Sequence, residues 1–229
     1  MWPADTDSLI SFQVSLAGAP MPPLDFDPAA SVGGCYVCFA RGGTGAGAAG
    51  DPAWAAAALT RQGRRQSATV TVTGTSGAPY LPGLLAMREG ALLEAAVRAL
   101  PFPPLVLLVD GTGRDHPRRA GLALHLGAAL GLPTVGVTHR PLLATGDWPG
   151  PERGSASPLL LDGDLVGYWL RTRPGARPLA VHAAWGTDPD QAVRVVLAAT
   201  RRPRTPEPLR AARRAARRAR AAAEAPGRR

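Results

Sequence analysis

Residues 105–111 read Leu-Val-Leu-Leu-Val-Asp-Gly. Five apolar residues without a polar break are the pattern of a strand covered on both faces, and the run ends directly in Asp110. Open α/β sheets bind their ligands beyond the carboxyl ends of such strands, so this acid marks one sheet edge as the place for chemistry. Upstream, residues 84–100 place Leu84, Leu85, Leu92, Leu93 and Val97 at helical spacing, and Pro101 ends the helix. Residues 68–73 alternate with period two and are rich in β-branched side chains, which predicts a half-buried strand. The first strand is expected over 34–39. The Ala-rich stretch that runs to Thr60 fits either a strand imposed by its surroundings or a short helix.

Downstream, a helix near 119–130, strands over 134–138, 165–171 and 179–183, and a helix over 189–200 complete the body. Strands followed by strand–helix alternation predict an α/β fold with a mixed sheet flanked by helices. A chain of 229 residues suits one domain with extensions. The expected division is an irregular N-terminal lead-in (1–31, with a short helix over 5–17 as an option), a body (32–208) and an Arg/Ala-rich C-terminal tail (209–229).

The net charge of +9 belongs to one end of the chain: residues 201–229 hold eleven Arg against Glu207 and Glu224, so residues 1–200 sum to about zero. Every basic residue is Arg, and neither Lys nor Asn occurs, which points to a GC-rich coding bias. Paired Arg residues four apart (Arg213-Arg214, Arg217-Arg218) fall along one side of a helix. Such a block reads either as a solvated end or as a source of salt-sensitive attraction to phosphate. Cys35 and Cys38 form a C-x-x-C pair, but no second pair is available to complete a zinc site, and both fit an apolar strand as small core residues. No apolar run of 18 residues exists to span a bilayer, and residues 1–7 lack the order of a secretion signal. A cytoplasmic protein that does not enter membranes is expected.

Asp110 has a possible companion in Glu89, carried on the preceding helix. Two carboxylates from neighbouring elements can hold Mg²⁺, which keeps several waters and takes further oxygens from substrate phosphates. The same two residues also read as ordinary solvated acids.

Three blocks make the reading more specific. Residues 79–90 are Pro-Tyr-Leu-Pro-Gly-Leu-Leu-Ala-Met-Arg-Glu-Gly; residues 109–125 are Val-Asp-Gly-Thr-Gly-Arg-Asp-His-Pro-Arg-Arg-Ala-Gly-Leu-Ala-Leu-His; residues 131–137 are Gly-Leu-Pro-Thr-Val-Gly-Val. In order and spacing they resemble the endonuclease V family, and the resemblance runs over roughly residues 32–210. It implies a ribonuclease H-like fold and a Mg²⁺-dependent endonuclease, with Mn²⁺ as a possible substitute. The implied partner is DNA or RNA containing hypoxanthine, cut at the second phosphodiester bond 3′ to the lesion by a monomeric repair enzyme. Tyr80, held between Pro79 and Pro82, would be the aromatic wedge that fills the gap left by a flipped base. Gly83, Gly111 and Gly113 would present open backbone groups to the base edge, with Leu85 and Leu142 as apolar walls and His116 beside them. Glu89 and Asp110 would hold the metal.

The sequence also departs from the family. Aligning residues 34–39 with the family's first strand puts Tyr36 where a metal-binding Asp stands. A phenol, whose ordinary pKa is about 10, is no substitute for a carboxylate near neutral pH. The family's basic residue after Gly136-Val137-Thr138 corresponds to His139, a candidate catalytic group, and its Gly-His element becomes Ala184-Trp185. Three outcomes are therefore carried forward: an endonuclease of reduced rate, a protein that binds deaminated or single-stranded nucleic acid without cutting it, or a fold whose base pocket has also drifted and which serves only as an interaction module.

Overall fold

Three parallel strands set the frame. In the computed structural model, which describes residues 2–3, 5–20, 24–27, 31–42, 46–61 and 68–225, β1 (Ser31–Phe39), β4 (Val106–Val109) and β5 (Thr134–Thr138) run in one direction. Cys35 lies beside Val109, and Val109 beside Gly136. β2 (Pro52–Arg61) and β3 (Ala68–Thr75) extend the sheet antiparallel from β1. On the other side β8 (Leu179–Ala183), β7 (Asp164–Leu170) and β6 (Ala156–Leu161) continue from β5, giving the order β3-β2-β1-β4-β5-β8-β7-β6. This is the mixed sheet expected from the sequence. β6 was not anticipated, because Pro158 argues against a strand interior; at the sheet edge its missing N–H costs no ladder bond.

Helices α1 (Thr6–Ala17), α2 (Leu85–Arg98) and α3 (Leu122–Leu130) cover one face; α4 (Pro189–Ala198) and α5 (Glu207–Ala223) cover the other. Strand alternation divides the residues accordingly. Cys35, Val37, Leu107 and Val109 face the first layer, while Tyr36 and Cys38 face α5. Both thiols are free and buried, and burial pushes both above the ordinary thiol range, as inert core residues require.

The terminal segments are more ordered than a lead-in and a tail. The helix left as an option over 5–17 is present: Asp5 accepts the Ser8 N–H at 2.8 Å to cap α1, which buries Leu9, Gln13 and Leu16. Residues 209–223 are not a tail either. They form most of α5, whose Ala212 and Ala216 are fully buried against Trp54, Ala56 and Ala58 of β2. The alanines of β2 answer the question left open in the sequence. Their strand propensity is poor, but they are buried on both faces, and small side chains let α5 lie close. Residues 226–229 of the expected tail lie outside the described residues. No described helix is long and apolar enough to cross a membrane.

Gly34 fixes where α5 lands, since a Cβ there would sit 2.6 Å from the backbone of Pro208 and Leu209. Gly34→Ala is therefore expected to cost roughly 1–3 kcal/mol by forcing the helix outward. Gly18→Ala, whose Cβ meets nothing within 4 Å, should stay within about 0.5 kcal/mol. Urea unfolding of the two variants distinguishes the sites.

Candidate nucleic-acid site

The turn before α2 and the loop after β4 meet in a cavity of about 200 Å³, lined by Tyr80, Pro82, Gly83, Leu85, Asp110, Gly111, His116, Leu122 and Leu142 among others. Gly83 holds φ at +77°, a conformation glycine adopts without strain, and its carbonyl accepts three hydrogen bonds. The donors are Arg118 Nη2 at 2.9 Å, His116 Nε2 at 3.0 Å and Gln13 Nε2 at 3.2 Å. His116 Nδ1 accepts the Arg118 N–H at 3.2 Å, so the ring carries its proton on Nε2 and is neutral. Burial agrees, lowering its pKa to about 4. Arg118 Nε also donates to Gln13 Oε1 at 2.6 Å, tying α1 to the loop after β4.

Leu142, on the opposite wall, is positioned by Asp115. This fully buried carboxylate accepts the backbone N–H groups of Leu142, Leu143 and Ala144 at 2.6, 2.8 and 2.8 Å. Its neighbour His182 stands 3.7 Å away through Nδ1. The hydroxyl of Thr138 donates to the Arg140 carbonyl, so His182 Nε2 donates to that hydroxyl at 2.8 Å, and burial keeps the ring neutral.

The acids stand at the strand ends beside this cavity. One residue beyond the paired Cys35 and Val109 come Tyr36 and Asp110, side by side on the α5 face. Glu89 lies across from Asp110 in an adjoining groove with Phe39, Arg88 and Tyr80, so Tyr80 borders both the cavity and the groove. Burial raises the Glu89 pKa to about 8, and the like charge of Asp110 adds to the rise against a small opposing effect of Arg88. Arg88 is itself committed, donating to the carbonyls of Ala48 and Ala78 and pairing with Asp51 at 2.9 Å. Arg213 of α5 pairs with Asp110 at 2.9 Å.

Of the residues predicted from sequence, Tyr80, Pro82, Gly83, Leu85, Asp110, Gly111, His116 and Leu142 come together around the cavity, and Glu89 lines the adjoining groove. Pro79 is exposed and does not line the cavity. Gly113 does not line it either; a Cβ there would fall 2.0 Å from the Ala183 carbonyl, so this glycine serves the packing of the loop on β8. The expected open backbone groups are partly engaged: the Gly83 carbonyl is saturated, the Gly111 N–H donates to Val109, and the Gly113 carbonyl accepts from Gly121. His139 is exposed just past β5, its pKa lowered by partial burial and by Arg204 and Arg213. It brings no positive charge to the site near neutral pH. Sequence reading missed Gln13, Asp115, Arg118 and Arg213 as site-building residues. Asp115 alone carried a signal, an acid between the strand-end loop and His116-Pro117.

A mixed sheet with a cavity at its parallel strand ends, Asp110 at the end of β4 and Glu89 on α2 in the adjoining groove, defines a ribonuclease H-like α/β protein. The Endonuclease V family model matches residues 25–214, and the chain belongs to the endonuclease V family. An Endonuclease V from Streptomyces avermitilis is 47% identical over 145 residues, 63% of either chain, so the alignment spans under two thirds of that curated relative. The crystal structure of the Streptomyces avermitilis Endonuclease V superposes with a TM-score of 0.84 at 39% identity, covering 98% of this chain and 96% of that one. A Ciona intestinalis Endonuclease V, solved in complex with a 24mer DNA containing an inosine, shares the fold at a TM-score of 0.80 and 21% identity, over 95% of this chain and 98% of that one.

Two measurements test the construction of the site. Asp115→Ala should lower stability by about 2–5 kcal/mol, because three backbone donors lose a buried, charged acceptor; urea unfolding reads the loss. The second concerns acid. His116 and His125 have folded pKa values near 4, and that of His182 is lowered too, all by burial, against an ordinary value of 6.5. Above pH 6.5 these rings add no pH dependence; as pH falls towards 4 the unfolded chain takes up protons that the folded protein refuses. Stability should therefore fall through that window. His125→Phe, which keeps an aromatic ring against Trp2, should flatten the slope by about 1.4 kcal/mol per pH unit.

Proposed function

We propose that the protein recognises hypoxanthine in DNA or RNA and cleaves the second phosphodiester bond 3′ to it, acting as a cytoplasmic monomer in repair. The observation that carries this reading is the placement of a base-sized cavity directly beside the Asp110–Glu89 pair, with Tyr80 on the shared wall. Family membership supports it, as does the inosine-containing DNA held by the Ciona intestinalis relative.

Tyr80 is 45% exposed and rises between two turn-forming prolines, so its ring can fill the stack that a flipped base leaves. The base enters between Leu85, Leu122 and Leu142, and the three-donor clamp on Gly83 keeps that end of the cavity from collapsing. Recognition here is mostly by shape, since much of the nearby backbone is already hydrogen-bonded within the protein.

The acids fit a divalent cation in part. Burial, and after it the like charge of Asp110, raises the pKa of Glu89; a shared cation would relieve that repulsion, and Mg²⁺ is content with one or two carboxylates when water and phosphate supply the rest. Against this, the described residues contain no cluster of three His, Cys, Asp or Glu that could hold a metal, Tyr36 contributes no carboxylate, and Arg213 already neutralises Asp110. Glu89 and Asp110 would hold Mg²⁺, with Mn²⁺ as substitute, once Arg213 withdraws. Bound there, the ion supplies Lewis-acid polarisation of the scissile phosphate and a more acidic attacking water. His139, its pKa lowered by partial burial and by Arg204 and Arg213, would accept a proton near Asp110. The Arg213–Asp110 pair favours a second reading, in which the protein binds the same lesion without cutting it.

Purified protein is expected to cleave an inosine-containing oligonucleotide in Mg²⁺ or Mn²⁺ slowly but above an Asp110→Ala control. Equal product from the two proteins would leave only the binding reading. In either case Tyr80→Ala should weaken binding by about 1–3 kcal/mol, roughly 5- to 150-fold, and equal affinity for inosine-containing and normal strands would count against base recognition altogether.

A further inference from the structure

The Arg213 guanidinium lies where a positive ion at Asp110 would lie. Its Nη2 donates to Asp110 Oδ2 at 2.9 Å, and its central carbon is 5.0 Å from the centroid of the Tyr36 ring. The arrangement is built, since Arg213 projects from a helix whose buried alanines and contact over Gly34 allow little sliding. Tyr36 offers a ring face where the parallel register places a neighbour for Asp110, and a ring face holds a guanidinium by cation–π attraction without demanding the charge of a second carboxylate. Arg217, one turn on, stacks over the same ring at 5.8 Å and reaches the Tyr36 hydroxyl at 3.5 Å. With Arg210 and Arg214 these side chains line one shallow cationic stretch of α5, and Arg213 within it also touches Asp110.

A guanidinium and a divalent ion cannot both take the same carboxylate oxygens. Arginine also keeps its charge at any working pH and carries five donors, of which the contact with Asp110 uses those of Nη2. The remaining edge suits a phosphodiester, which arginine binds through paired N–H groups.

We propose that Arg213 is a resident cation which competes with divalent metal for Asp110 and, together with Arg217, holds a backbone phosphate of the nucleic-acid strand in the metal's absence. The strand as ligand rests on the function proposed above; the competition for Asp110 does not. Metal then becomes a condition for cutting but not for binding, and its entry requires Arg213 to leave.

Two readouts on the full chain test this. Mn²⁺ binding without nucleic acid, followed by electron paramagnetic resonance of the free ion, should be at least tenfold tighter in Arg213→Ala and in Arg213→Gln than in the parent protein. In Arg217→Ala, which removes the same charge without touching Asp110, it should change less than threefold. The Gln variant keeps a polar side chain on the helix, and circular dichroism confirms that each protein is folded. Binding of a fluorescent single-stranded inosine oligonucleotide in EDTA should match that in Mg²⁺ within threefold for the parent, and fall at least fivefold in EDTA for either Arg213 variant. Unchanged Mn²⁺ affinity in the folded Gln variant, or a parent protein that needs metal to bind the strand, overturns the proposal. If the strand binds without preference for inosine while Mn²⁺ affinity rises as expected, base recognition fails and the competition stands.

Discussion

Parallel pairing of β1 with β4 and of β4 with β5 is the constraint from which the site follows. It brings the carboxyl ends of three strands to one edge, and the register decides which side chains meet there. Because Cys35 pairs with Val109, the next residues along, Tyr36 and Asp110, become neighbours on the same face. A shift of one residue would turn Asp110 towards α2 and α3 and separate it from α5. The paired span of β4 is apolar throughout, with Val106, Leu107, Leu108 and Val109 all fully buried between the two helical layers.

Around that edge, polar groups are spent on holding loops more than on waiting for a ligand. The Gly83 carbonyl is gripped by donors from α1 and from the loop after β4, and Asp115 grips three consecutive backbone N–H groups on the far wall. Hydrogen bonds to a buried carboxylate are the stronger kind, about 1.5–3 kcal/mol each, so the cavity is preformed and not assembled on binding. A rigid apolar slot of this sort discriminates by shape and by exclusion of water. Tyr80 sits on the wall shared by this slot and the groove that holds Glu89.

Much of this was legible in the sequence, because the strongest signals were local. The buried run ending in Asp110, the Pro-Tyr-Leu-Pro-Gly turn and the helix carrying Glu89 could each be read from spacing, and the structure brings them to one place. What could not be read depended on distance along the chain. Gln13 reaches Gly83 across 70 residues and Arg213 reaches Asp110 across 103, with no periodicity linking either pair. Composition misled at the ends of the chain. Alternating Ala and Arg reads as a solvated tail until one sees that β2 offers a surface of alanines on which only a helix with its own alanines could lie so close. Pro158 hid an edge strand for the opposite reason, since its restriction is harmless only at an edge that the sequence does not reveal.

The departure at Tyr36 and the helix α5 form one change in the electrostatics of the edge. A carboxylate next to Asp110 would face Arg213 and Arg217 as well, and the edge would hold three acids with cations competing among them. With a phenol there, Asp110 keeps one full positive neighbour and Glu89, buried and facing a like charge, is pushed towards its neutral form. The edge is then close to balanced without any bound ion, which removes the unfavourable repulsion that draws a divalent cation into an acid cluster. The fold and the base-sized slot do not depend on that balance, since the residues that build them form a separate hydrogen-bond network. The charge at Asp110 is therefore separable from the slot beside it: a change at Tyr36 or Arg213 alters the one while leaving the hydrogen bonds that hold the other in place.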